Sequence, residues 1–71
     1  MLPNKIKIGG LYRHYKGGLY RVIGIVKHTE TEEVLVIYRL LYGHNMTTWA
    51  RPIAMFCGRV DGKPRFEEVT E

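Results

Sequence analysis

Glycines and prolines cut this chain into β-prone runs too short for helices, and that punctuation constrains the fold more than any other feature of the sequence. Leu11 to Tyr15 is tyrosine-rich and leads into Lys16-Gly17-Gly18, where glycine tolerates the positive φ of a tight hairpin turn. Leu19 to His28 follows, and Val22, Ile23, Ile25 and Val26 give it strong β propensity. Gly24 in its middle predicts a bulge or a sharp coil of the strand. Thr29-Glu30-Thr31-Glu32-Glu33 is a polar turn, Val34 to Leu41 a third strand, and Tyr42-Gly43-His44-Asn45 another turn cluster. Thr47 to Arg51 makes a fourth strand, ended by Pro52, which has no N–H to give to a ladder. Ile53 to Phe56 fits either a single helical turn or the start of a strand. Cys57 to Val60 and Arg65 to Val69 are expected to pair across Asp61-Gly62-Lys63, because Asp-Gly is a hairpin-turn pair.

Five or six short strands with frequent turns predict a mainly β fold. The expected architecture is a small antiparallel SH3-like barrel with at most one short helical turn, filling residues 1–71 as a single domain. A flat meander that needs a partner to close it is the alternative. A chain of 71 residues buries only about 60% of its unfolded surface. That leaves no room for a two-domain enzyme or a Rossmann unit, and one cysteine cannot form an internal disulfide. The longest apolar runs, Val34 to Tyr38 among them, are far short of a membrane span, and Met1 to Lys7 carries no signal-peptide core. A cytoplasmic protein without a membrane partner is therefore expected. On that reading Asn45-Met46-Thr47 matches a glycosylation acceptor by chance.

Strand alternation puts Tyr20, Val22, Gly24 and Val26 on one face of the second strand and Arg21, Ile23, Ile25 and Lys27 on the other. The third strand likewise divides Val34, Val36, Tyr38 and Leu40 from Leu35, Ile37, Arg39 and Leu41. The faces bearing arginine and lysine should point outward, yet they also carry Ile23, Ile25, Leu35, Ile37 and Leu41, enough for a contiguous apolar patch. Either the C-terminal segment covers this patch through Ile53, Met55, Phe56 and Phe66, or a second copy or another protein does.

The run Gly10-Leu11-Tyr12-Arg13-His14-Tyr15-Lys16-Gly17-Gly18-Leu19-Tyr20 resembles the opening of a small bacterial family catalogued as domain of unknown function 1653. His28-Thr29-Glu30-Thr31, Val36-Ile37-Tyr38-Arg39 with Leu41-Tyr42-Gly43, Trp49-Ala50-Arg51-Pro52, Met55-Phe56, Gly58, Val60 and Pro64-Arg65-Phe66 continue the match along nearly the whole chain. The resemblance implies a small β-rich fold and supplies no activity, ligand or catalytic residue.

The strongest chemical signal is the interleaving of rings and bases: Tyr12-Arg13-His14-Tyr15-Lys16, Tyr20-Arg21, Tyr38-Arg39 and Trp49 near Arg51. Rings and guanidinium groups of this kind serve protein and peptide recognition, and they also serve single-stranded nucleic-acid binding. Simple alternation of inward tyrosine with outward arginine produces the same pattern. The net charge of +4 divides unevenly, with six bases and no acid in residues 1–28 against five bases and seven acids in residues 29–71. A uniform basic groove for nucleic acid is thus disfavoured.

The candidate ligand-binding residues are Tyr12, Arg13, His14, Tyr15, Trp49 and Arg51, and Arg13, Arg39, Arg51 and Arg65 could form an anion pocket if the fold gathers them. His14, His28 and His44 lack metal-ligand spacing, and His28-x-Glu30 lacks the paired cysteines of a zinc deaminase, so neither a metal nor a cofactor is expected. Cys57 with a histidine could make a nucleophile pair, although a small buried hydrophobe is its more ordinary role. The expectation is a non-catalytic binding module for protein or peptide, with homodimerisation included; single-stranded nucleic-acid binding is the alternative and a small hydrolase-type enzyme the third reading.

Overall fold

A computed structural model describes residues 6–42 and 47–70. The Gly43-His44-Asn45 part of the third turn, the glycosylation-like Asn45-Met46, the start of the N-terminal run and Glu71 lie outside the described residues. The strands are β1 (Leu11–His14), β2 (Leu19–Lys27), β3 (Val34–Leu40), β4 (Thr48–Pro52), β5 (Arg59–Val60), β6 (Lys63–Pro64) and β7 (Phe66–Val69), with one short helix, α1 (Ile53–Phe56), after β4. Five strands form an antiparallel sheet in the order β4-β3-β2-β1-β7, and β5 and β6 form a separate ribbon. The fold is mainly β, as the sequence predicts, and Ile53 to Phe56 proves to be the helical turn.

Local chemistry sets most of these elements. Gly17 at φ 107° turns β1 into β2, and the Gly17 N–H donates to the His14 carbonyl at 2.7 Å. Asp61 and Gly62, at φ 52° and 79°, provide the two positive-φ positions of a type I′-like turn. Their hairpin differs from the expected one: Arg59–Val60 pairs with Lys63–Pro64, whereas Phe66–Val69 crosses to the far side of the sheet and pairs with β1, His14 opposite Phe66 and Leu11 opposite Val69. The short ribbon uses up the turn after two residues per arm. β7 then finds the free edge of β1, where its backbone groups are satisfied.

The bulge at Gly24 is present: the β2–β3 register runs Val22 to Tyr38 and then Gly24 to Ile37, leaving Ile23 without a partner in the ladder. An extra residue inverts the phase of alternation beyond it. Ile25 therefore falls opposite the buried Val36, on the core side, and Val26 opposite Leu35 on the outer side, which corrects the assignment of Ile25 to the outer apolar face. Ile23, Leu35 and Ile37 remain outside, joined by Val26.

The core is one cluster on the inner face: Tyr12, Val22, Val36, Tyr38, Ile53, Phe56 and Phe66, with Ile6, Tyr20, Val34 and Cys57 packed against it. Phe56 stacks on Phe66 at 4.1 Å with an interplanar angle of 6°, and it meets Tyr12 and Tyr38 edge-on at 5.4 and 5.5 Å. The C-terminal segment thus covers the inner face. It does not cover the outer one, as one expectation had it, because its rings bury more area among Tyr12, Tyr38 and Phe66 than a flat outer surface offers. The sheet curls until the Arg51 guanidinium of β4 lies 5.8 Å over the Phe66 ring of β7. These two edge strands are not hydrogen-bonded to each other, so the sheet does not close into the SH3-like barrel expected from the sequence.

Candidate functional site

Where the sheet stays open, the inner face holds a cleft of about 200 Å³ lined by His14, Tyr20, Tyr38, Trp49, Arg51 and Phe66. Each strand of the large sheet supplies part of it: β1 His14, β2 Tyr20, β3 Tyr38, β4 Trp49 and Arg51, and β7 Phe66. Period-two alternation explains the pairing of roles within strands. On β1, Tyr12 is 5% exposed under α1, whereas His14, two residues further on, reaches the open part. On β3, Val36 is fully buried and Tyr38 forms the cleft floor.

The floor is a set of edge-to-face rings: Tyr20–Tyr38 at 5.3 Å, Tyr38–Phe66 at 5.2 Å and Tyr20–Phe66 at 5.7 Å. The His14 ring lies 4.9 Å from Phe66. Trp49, opposite Tyr38 in the ladder, is 48% exposed and forms a wall. Arg51 is held in place by its Nε–H, which donates to the Tyr38 hydroxyl at 3.0 Å. Its four remaining N–H groups have no hydrogen-bond partner among the described residues.

Positive charge gathers here without an opposing acid. No carboxylate lines the cleft, and Lys16, Arg51 and Arg65 make no ion pair with a described carboxylate. His14 reports the result: burial first, then the charges of Arg51, Arg65 and Lys16, hold its pKa below the usual 6.5. Its Nδ1 accepts the Lys16 backbone N–H at 3.2 Å, which places the ring proton of the neutral form on Nε2.

Of the six candidate residues, His14, Trp49 and Arg51 converge in this cleft. Arg13 and Tyr15 line a neighbouring depression with His14, Gly17, Lys63, Pro64 and Glu67. Tyr12 belongs to the core, where its hydroxyl accepts the Lys7 N–H at 3.0 Å, and it does not line this cleft. The four candidate arginines do not gather in one pocket. Arg51 and Arg65 act on His14, whereas Arg39 faces outward and donates to Thr48 Oγ1, and Arg13 stands opposite Glu67. The sequence places Tyr20 and Tyr38 in the interleaving of rings and bases without singling them out as ligand contacts, and it offers Phe66 as part of an apolar cover. The signal for their shared site is the β1–β7 pairing, which no local pattern announces.

Cys57 lies in a different depression with Ile6, Tyr12, Phe56, Arg59 and Pro64, which holds no histidine, so the described residues do not assemble the nucleophile pair. His28 caps the β2–β3 turn, its Nδ1 accepting the Glu30 N–H at 3.0 Å. Among the described residues no three His, Cys, Asp or Glu side chains converge on a metal position, and no helix is long and apolar enough to cross a membrane.

A family model described as a protein of unknown function, DUF1653, matches residues 10–68. The chain is also similar to a crystal structure of a DUF1653 protein from Bordetella bronchiseptica, with 32% identity, a TM-score of 0.82, and coverage of 97% of this chain and 92% of that one. No curated protein matches the sequence.

Proposed function

The chain belongs to the DUF1653 family, and on that footing we propose that it is a non-catalytic binding module that recognises a protein or peptide segment through the cleft of His14, Trp49 and Arg51. The observation that carries this reading is the convergence of a half-exposed tryptophan and a fixed guanidinium over a floor of rings, on an open side of the sheet. Tryptophan, tyrosine and arginine are the residues that dominate binding energy at protein interfaces. At about 200 Å³ the cleft is smaller than the roughly 300–1,000 Å³ of small-molecule sites. One side chain of a partner fits it better than an enclosed substrate does.

Panning a random-peptide library on the folded protein tests this reading. Enriched peptides are expected to lose binding to Trp49→Ala and to Arg51→Gln, and to keep it with the outward Arg39→Gln. Equal retention by all three variants would remove the cleft from the function. Single-stranded nucleic acid remains the rival ligand because the cleft is cationic. Its mark is affinity for an oligothymidine that falls steeply with salt.

Self-association is a second reading, favoured by the outer face. There Ile23 and Val26 are 44% and 45% exposed beside Leu35 and Ile37, and α1 and its ring partners pack on the opposite side. Sedimentation at high micromolar concentration should then show a dimer that Ile37→Glu dissociates, and a wild-type monomer would end that reading.

A further inference from the structure

The cleft combines an apolar bed for one side chain with a guanidinium whose outer edge is open, so the two features together describe a ligand. Arg51 spends its Nε–H on Tyr38 and rests over the Phe66 ring at 5.8 Å. Both contacts fix its plane and leave the Nη1 and Nη2 groups as a two-point donor, which matches the two oxygens of a carboxylate. The half-exposed Trp49 and the Tyr20 ring, with the buried Phe66 behind them, line an apolar bed for a ring or a large apolar side chain close to that donor. Lys16 and Arg65 add positive charge, and the buried Arg65 Nε has no hydrogen-bond partner. Arg51 is the one cation among the residues that line the cleft, with Lys16 and Arg65 acting on His14 from outside that lining, which suits a single terminal anion better than the repeating phosphates of a nucleic-acid strand.

We propose that this cleft binds the C-terminal residue of a partner polypeptide, with Arg51 holding the free carboxylate while the ring bed formed by Trp49, Tyr20 and Phe66 takes an aromatic or large aliphatic last side chain. The inference rests on the peptide-binding reading above and narrows it to chain ends. A terminal residue carries carboxylate and side chain on one Cα, so both fit within about 200 Å³. An internal Asp or Glu would need a neighbouring residue to supply the ring, and with it more space.

Trp49 is the sole tryptophan of the chain and provides the readout. Its fluorescence is titrated with a Gly/Ser hexapeptide ending in Phe as the free acid, with the same peptide as its C-terminal amide, and with an octathymidine. The free acid should bind saturably and the amide roughly ten- to a hundredfold more weakly, the loss of one charge-assisted, two-point contact. Arg51→Gln should bring the free acid down to the level of the amide. Arg51→Lys, which keeps the charge without the fork, should fall between, and Arg39→Gln should match the wild type; amide spectra of each variant verify the fold. Equal saturable binding of acid and amide would overturn the terminal-carboxylate inference and leave the peptide reading standing. Failure of both peptides with tight, salt-sensitive binding of the octathymidine would overturn both, and failure of all three ligands at millimolar concentration would overturn the inference.

Discussion

Phe56→Ala tests the packing that gives the cleft its floor. Phe56 is 2% exposed, stacked on Phe66 and edge-on to Tyr12 and Tyr38. Emptying such a site costs about 3–5 kcal/mol from lost transfer energy and the residual cavity. A 71-residue domain has roughly 4–11 kcal/mol of stability in all, so the substitution removes about a quarter of it or more. With an m-value of about 1 kcal/mol/M in urea, the unfolding midpoint should fall by about 3–5 M. Phe56→Leu keeps most of the apolar bulk and loses three ring pairs at about 0.5–1.5 kcal/mol each, which keeps a folded baseline measurable if Phe56→Ala has none. The control is Met55→Ala in the same helical turn: Met55 is 49% exposed, and its loss should cost within about 0.5 kcal/mol. Urea unfolding followed by circular dichroism measures all three. If Phe56→Ala cost less than about 1 kcal/mol, or no more than Met55→Ala, the helix would not be the element that closes the inner face.

Two further expectations concern the turns and pH. Gly62→Ala should destabilise by about 1–2 kcal/mol because φ 79° crowds a Cβ, whereas Gly24→Ala, with open space around its Cβ and no positive φ, should change stability by no more than about 0.5 kcal/mol; equal effects would deny the difference in backbone conformation. For His14 the folded-state pKa lies below the unfolded value of about 6.5. The unfolded chain then binds the proton first, so stability is complete above that pH, declines as pH falls below it, and levels off once the folded protein is protonated too. The melting temperature of wild type relative to His14→Gln should accordingly drop between pH 7.5 and pH 5, and a difference constant across that range would contradict the positive surroundings assigned to the ring.

How much was legible beforehand depends on how far apart the interacting residues stand. Gly17, Asp61-Gly62 and the interruption at Gly24 announced two turns and a bulge, because each is a matter of local φ and β propensity. The faces of β3 followed from alternation alone, with Val36 and Tyr38 in and Leu35 and Ile37 less so. Past the bulge the same rule misplaced Ile25, since one unpaired residue reverses the phase and the sequence does not say which residue is left out of the ladder.

The family resemblance, the mainly β class and the short strands could thus be read from residue order, where neighbours along the chain decide. The cleft could not. It needs β7 to pair with β1, bringing Phe66 opposite His14, and a sheet curled enough to set Arg51 over Phe66. It also needs α1 to cover Tyr12 while leaving His14 two residues away uncovered. Tyr12 and His14 have the same phase and the same kind of neighbours, so nothing local separates a core ring from a cleft ring. Which part of the inner face becomes core is settled by where distant apolar groups bury the most area, and that is a property of the whole folded chain.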